Sequence, residues 1–179
     1  PLLPPDAKIG VSNLRAQRRQ RDLHTLLYPQ SLMAERVRGV RTSLGFAAGK
    51  TRLKTLVVTS PSSSEGKSST AINLAMSFVQ AKKRVVLIDA DMRRPRLHQV
   101  FEPPIGKESV GLSGVLSGKC TIDDALITGG DVPEGMSVML CGDVPLSPAE
   151  LLDGPQARKL LAELGERFDL VILDSPPVL

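Results

Sequence analysis

The sequence has 179 residues, of which 41% are hydrophobic but only 3% aromatic, and its formal net charge is +4. This length suits one domain, and a core of Val, Leu, Ile and Ala favours a parallel sheet covered by helices over an antiparallel sandwich. The isolated Cys120 and Cys141 argue against a disulfide framework, and the two histidines lie too far apart for a zinc site. No apolar run reaches the roughly 20 residues that span a bilayer. We therefore expect a cytoplasmic protein.

Basic residues are concentrated at the start of the chain. Residues 1–55 contain 11 Lys or Arg against three acids, a net charge of +8, so the remainder carries −4. We predict that residues 1–30 form a Pro-flanked basic leader or linker with one short helix, and that residues 31–179 form the folded domain. Such a leader suits an anionic partner, either a membrane surface or a neighbouring subunit. Nucleic acid is the weakest candidate because no aromatic residues interleave the basic ones, and a solvated tail is the alternative.

Beyond the leader, predicted helices alternate with short apolar strands. The predicted helices are Ser31–Ala48, Ser68–Gln80, Leu112–Leu116, Thr121–Ile127 and Gln156–Arg167. The predicted strands are Leu56–Val58, Val85–Ile88, Val138–Leu140 and Leu170–Leu173. Two helix starts carry capping signals. One is Thr121 with Asp124. The other is Ser147 with Glu150, where Pro148 stands at the first helical position. This alternation predicts an α/β fold with a doubly wound, mainly parallel sheet and right-handed crossovers.

The first long helix, Ser31–Ala48, has two predicted faces. Its apolar stripe consists of Met33, Val37, Val40, Leu44 and Ala47. A polar arc on the opposite side contains Glu35, Arg38 and Arg41. On spacing alone this arc indicates a solvated face with one intrahelical ion pair, worth about 0.3–0.5 kcal/mol.

The strongest chemical signal is Ser60–Ser69, which follows a predicted strand and opens a helix, as a phosphate-binding loop requires. Backbone N–H groups at the helix start would bind polyphosphate oxygens, Lys67 would reach the terminal phosphates, and the Ser68 hydroxyl would ligate Mg²⁺. The loop departs from the usual pattern at Pro61, where the first glycine would stand. The predicted nucleotide-binding residues are Ser64, Glu65, Gly66, Lys67, Ser68 and Ser69.

Two further strands end in acids. Val85–Ile88 leads into Asp89 and Asp91, which alternation along an extended chain directs to the same side at the carboxyl edge of the sheet. Two close carboxylates repel each other unless a cation or a proton lies between them. The structural alternative is an ion pair of Asp91 with Arg93 or Arg94.

Asp174 follows the last predicted strand. A lone Asp at a strand end is more often a turn residue, but the phosphate loop upstream makes it a candidate acid of a second metal-binding strand. The sequence stops five residues later, at Leu179. A complete sheet of this kind normally has further strands, so we expect the domain to be incomplete at its C-terminus.

Together these three segments resemble the bacterial tyrosine autokinases of capsular and exopolysaccharide synthesis and export, which have the P-loop NTPase fold. The resemblance covers residues 31–179, with Ser60–Ser68 as Walker A, Val85–Arg93 as Walker A′ and Val171–Asp174 as Walker B. It implies transfer of the γ-phosphoryl group of ATP to tyrosine hydroxyls, assisted by Lys67 and Mg²⁺. The metal ligands it implies are Ser68, Asp174, and one or both of Asp89 and Asp91.

The same resemblance suggests roles for other residues. One of Asp89 and Asp91 would accept the tyrosine proton while the other assists the metal, and Arg93 would orient an acid or a phosphate. The pattern Glu-x-x-Arg-x-x-Arg, here Glu35, Arg38 and Arg41, supports ring-like self-association in the family. The resemblance also implies a position at the inner face of the plasma membrane, beside a membrane-bound polysaccharide export or co-polymerase part that is fused in cis or bound in trans.

Two alternatives remain open from the sequence. One is a nucleotide-switched ATPase of the partitioning and septum-positioning group, but its signature Lys, five residues before the main Lys, is replaced here by Ser62. The other is a catalytically silent assembly module. The sequence departs from the kinase pattern in two ways. Family members usually have a tyrosine-rich tail, whereas the single tyrosine here is Tyr28, and Ser64 replaces a glycine of the phosphate loop.

Overall fold

The computed structural model describes residues 17, 19–49 and 53–178, and its strands form one five-stranded sheet. The strands are β1 Thr55–Val58, β2 Val85–Asp89, β3 Leu126–Ile127, β4 Met136–Met139 and β5 Leu170–Asp174. A 3₁₀ turn covers Leu97–Gln99. The helices are α1 His24–Leu27, α2 Leu32–Ala47, α3 Lys67–Gln80, α4 Leu112–Leu116, α5 Ile122–Ala125, α6 Pro148–Asp153 and α7 Pro155–Arg167.

The sheet has the order β1-β5-β2-β4-β3, in which the first four strands are parallel and β3 is antiparallel to β4. The predicted doubly wound, mainly parallel α/β fold is therefore confirmed. All five residues of β2 are buried, because helices cover both faces of a central parallel strand. The two core clusters on either face share no residue: α3 packs with Val85 and Leu87, and α7 packs with Val86 and Ile88.

One predicted helix was too long. The segment Thr121–Ile127 was expected to be helical throughout, but α5 ends at Ala125. Leu126 has extended backbone angles, and Leu126 and Ile127 pair with Met139 and Val138 of β4. A two-residue edge strand leaves no periodicity in the sequence, so only the tertiary pairing reveals it.

The two capping predictions had different outcomes. Thr121 and Asp124 form the complete capping box, with each side chain bonded to the backbone of the other residue. Pro148 does occupy the first turn of α6, but the predicted cap at Ser147 is wrong because its side chain makes no capping hydrogen bond.

The predicted apolar face of α2 was only partly right, since Val37 and Leu44 are half-buried but the other residues of the stripe are exposed. Met33 and Val40 are 48% and 51% exposed, whereas the fully buried residue of the helix is Ala34. Arg41, expected in a polar arc, points towards α3, where its Nη1 donates to the Ser77 carbonyl oxygen at 2.5 Å. Arg38 Nη1 donates to the Pro29 carbonyl oxygen at 2.7 Å. The side of the helix that faces the rest of the chain therefore contains Ala34 and the two arginines as well as Val37 and Leu44.

The described part of the predicted leader is packed against α3 and is not a solvated tail. Leu23 is buried in the core cluster on the α3 face. The Thr25 amide donates to Asn73 Oδ1 at 2.7 Å, and Gln80 Nε2 donates to the Thr25 carbonyl at 3.0 Å. Residues 1–16 and 18 lie outside the described residues, as does Leu179. None of the helices in the described part of the chain has the length and hydrophobicity of a bilayer-spanning segment.

Candidate nucleotide-binding site

The loop between β1 and α3 has the backbone geometry of an anion-binding turn. Gly66 precedes α3 with a left-handed φ of 87°, and no side chain caps the helix, so its first N–H groups are open to a ligand. Ser64 also has a left-handed φ, of 67°, at the position where a glycine is usual. Ser62 and Glu65 brace the loop, the Ser62 amide donating to Glu65 Oε2 at 3.2 Å.

Three of the predicted charged residues meet beneath this loop. Lys67 is the first residue of α3, and its Nζ lies 2.8 Å from Asp91 Oδ2 and 3.4 Å from Asp174 Oδ1. Asp89 and Asp174 are register partners on the adjacent strands β2 and β5. The side chains of Lys67, Asp91 and Asp174 are almost fully buried. The Lys67 ammonium group therefore compensates the charges of Asp91 and Asp174. The alternative in which Asp91 pairs with an arginine side chain is wrong, since Arg94 contacts it only through a backbone N–H.

Asp89 has a different environment from Asp91. Its side chain is fully buried, and Oδ2 accepts from the Arg96 and Leu97 amides at 2.9 and 2.8 Å. Burial raises the pKa of Asp89 from 3.8 to about 6, although the two amide hydrogen bonds oppose the shift. This carboxylate therefore anchors the turn that follows Asp91.

The donor atoms suit a magnesium ion. Among the described residues, Asp89 Oδ1 and Asp174 Oδ2 are buried acceptors without a hydrogen-bond donor, and Ser68 is also buried. Burial also raises the pKa of Asp174, while the neighbouring Ser68 hydroxyl and Lys67 lower it. In the described chain, acidic, His and Cys side chains do not converge in a group of three or more as a ready metal cage. Mg²⁺ commonly takes one or two protein ligands and fills its shell with water and phosphate oxygens, so Ser68 and the nearby acids fit it.

The site opens into a cleft of about 940 Å³. Its lining contains most of the predicted nucleotide-binding residues, together with Asp91 and Arg93. Sequence reasoning missed three more arginines that line it: Arg21, Arg94 and Arg96. The run from Arg93 to Arg96 was visible beside the acids, but no local signal connects Arg21, in the leader, with a phosphate loop that begins 39 residues later in the chain.

The predicted residues outside the cleft have separate positions. Glu35 is exposed on α2, and Arg38 and Arg41 contact their own chain through the bonds described above. Ser69, by contrast, lines the cleft, and its hydroxyl donates to Asp22.

The sequence matches the CobQ/CobB/MinD/ParA nucleotide-binding domain family over residues 56–172. It is 38% identical over 165 residues to the tyrosine-protein kinase YwqD of Bacillus subtilis, covering 92% of this chain and 68% of YwqD. The kinase domain of the Escherichia coli tyrosine kinase ETK matches with a TM-score of 0.79 and 34% identity, over 87% of this chain and 59% of that one. The chain belongs to this nucleotide-binding domain family and, within it, to the bacterial tyrosine-protein kinases.

More distant structures share the fold. Cobyrinic acid a,c-diamide synthase from Mycobacterium smegmatis, with bound ADP and magnesium, matches over 70% of this chain and 51% of its own, with a TM-score of 0.57 and 26% identity. A plasmid partition protein from Borrelia burgdorferi has a TM-score of 0.56 at only 20% identity, over 70% of this chain and 57% of its own. The predicted resemblance to the kinases is confirmed, whereas the partition protein shows a likeness of fold alone.

Proposed function

We propose that this domain transfers the γ-phosphoryl group of ATP to tyrosine hydroxyls, with Mg²⁺ as cofactor, in the synthesis or export of a polysaccharide. The observation that carries the proposal is the position of Lys67, between two buried acids beneath a phosphate loop, in a chain 38% identical to a tyrosine-protein kinase. Phosphoryl transfer needs positioning and charge neutralisation more than covalent help, and this site offers both.

Lys67 changes partners in the proposed cycle. Before nucleotide binds, its ammonium group neutralises Asp91 and Asp174. Polyphosphate oxygens in the loop would compete for that charge, and the two carboxylates would then be free to accept a cation or a proton. Bound Mg²⁺ would neutralise charge on the transferring group.

We assign the proton-accepting role to Asp91 and a supporting role to Asp89. Asp91 lines the cleft, where an acceptor hydroxyl could approach it. Both hydrogen bonds at Asp89 Oδ2 hold the Arg96–Leu97 turn, and its side chain is fully buried. Arg93, exposed at the cleft, is positioned to contact a phosphate.

The wider setting is part of the same proposal. The domain would act at the inner face of the plasma membrane, with a membrane-bound export part in cis or in trans, and would assemble through Glu35, Arg38 and Arg41 into a ring. The strongly basic start of the chain supports the membrane-proximal position.

The roles of the acids can be separated by kinetics. In full-length protein with Mg²⁺ and ATP, Asp91→Asn should lower the rate of phosphotyrosine formation at least about 100-fold while ADP affinity changes little, because a proton acceptor acts only during transfer. Asp174→Asn should weaken the Mg²⁺ dependence of ADP binding. ATP hydrolysis that continues with no phosphotyrosine in wild-type protein would instead indicate a nucleotide-switched ATPase.

A further inference from the structure

Asp22 is a buried acid in the segment before the kinase domain, and the proposed mechanism does not use it. It is only 1% exposed. Its Oδ2 lies 2.6 Å from Arg96 Nη2, and its Oδ1 accepts from the Ser69 hydroxyl. Both carboxylate oxygens therefore bind residues that line the nucleotide cleft.

Arg96 connects this acid to the rest of the site. Its Nη1 donates to Ser69 Oγ at 3.2 Å, so Arg96, Ser69 and Asp22 contact one another in a closed triangle. Its backbone amide donates to Asp89 Oδ2. One residue thus joins the N-terminal segment, the first turn of α3 and the turn after β2.

The segment has other anchors besides Asp22. Asn73 Oδ1 accepts from the Thr25 amide, and Asn73 Nδ2 donates to the Asp22 backbone carbonyl at 3.0 Å. These bonds use the backbone of the segment and do not involve the Asp22 carboxylate, so we expect them to persist when that side chain is changed. A substitution at Asp22 can therefore be tested in a protein in which the segment stays docked.

We propose that Asp22 and Arg96 are positioning residues for the nucleotide site. They hold the start of α3 and the turn around Asp89 in the arrangement that binds nucleotide. Docking of residues 19–27 is thereby coupled to nucleotide binding in the cleft. Coupling of this kind is reciprocal: if the docked segment favours nucleotide, nucleotide favours the docked segment by the same factor. The inference rests on the proposed nucleotide site, but not on the kinase activity.

The test is a titration of the full-length protein with a fluorescent ADP analogue and Mg²⁺. Asp22→Asn and Arg96→Gln should each raise the Kd about 10-fold, within the usual range of coupling factors. The double variant should be no weaker than the poorer single variant, because both act through one ion pair. Asp131→Asn, which removes a different ion pair of this segment, that of Asp131 with Arg19, is the matched control and should change the Kd less than about 2-fold.

Hydrogen exchange supplies a readout that a purely structural role would not affect. In wild-type protein, MgADP should slow amide exchange in residues 19–27, and Asp22→Asn should lose most of that protection. Unchanged Kd values in both single variants, or equal protection in Asp22→Asn, would overturn the inference. Wild-type protein that binds the analogue without forming phosphotyrosine would contradict the kinase proposal alone, and failure to bind it at all would overturn both.

Discussion

Tertiary partners distinguish two buried carboxylates that are equivalent in the sequence. Asp89 and Asp91 both follow β2, and the sequence alone identified each as a candidate base and metal ligand. In the structure Asp91 contacts Lys67 at the cleft, whereas Asp89 is enclosed and bonded to two amides. The difference arises because the chain after Asp91 folds back so that Arg96 and Leu97 cover Asp89. Such a tertiary contact has no local signal.

Asp89 should make stability depend on pH. Because folding raises its pKa from 3.8 to about 6, the folded protein retains a proton that the unfolded protein releases, and the free energy of unfolding falls as pH rises between those values. Asp89→Asn should remove up to about 3 kcal/mol of that fall. Urea denaturation at pH 4 and pH 7, in EDTA and without nucleotide, measures it.

The exposed Asp143→Asn serves as the control for loss of an acid at a surface position. If the free energy of unfolding depended on pH in the same way in Asp89→Asn, in this control and in the wild type, burial of Asp89 would not be the cause of the pH dependence.

At the scale of single elements, local chemistry predicted some ends and faces well and others poorly. The start of α3 and the cap of α5 depend on neighbours within a few residues, and both were predicted. The face that α2 buries depends on what α3 offers, and there the Ser77 carbonyl receives Arg41. Helical spacing alone cannot reveal that partner, so Arg41 was assigned to the solvent side and Met33 and Val40 to the buried side.

The contrast between two helix caps gives a direct test at this scale. Thr121→Ala should lower the free energy of unfolding by about 1 kcal/mol, because the hydroxyl satisfies an amide of α5. Ser147→Ala should change it by less than about 0.5 kcal/mol, because Ser147 makes no capping bond. Urea denaturation of both variants provides the comparison, and equal losses would contradict the assigned cap geometry.

At the scale of the whole molecule, one sheet edge brings together Lys67, the Asp89–Asp91 segment and Asp174, three parts of the chain that are far apart in sequence. Motif order was enough to predict this convergence, since parallel strands end at the same edge. The leader was not predictable in the same way, because its docking depends on isolated polar residues such as Asp22 and Asn73. The chain spans 68% of YwqD, and the proposals on assembly concern the longer protein.

Assembly and folding can be separated on α2. Glu35 is exposed, so Glu35→Ala should weaken self-association and change stability by less than about 0.5 kcal/mol. Arg41→Ala should also cost about 1–3 kcal/mol of stability, because the Ser77 carbonyl loses its charged donor. Sedimentation velocity of the full-length variants, beside urea denaturation, measures both effects. Unchanged assembly in Glu35→Ala would contradict the ring interface.

The central claim is that Lys67 and the three acids form a tyrosine kinase site. It is tested most directly by measuring phosphotyrosine on full-length protein incubated with Mg²⁺ and ATP, beside Lys67→Met and an EDTA control that needs no mutation. We predict signal in the wild type and none in either control, with circular dichroism showing that the variant is folded. ATP turnover without phosphotyrosine in the wild type, or phosphotyrosine that persists in folded Lys67→Met, would contradict the account.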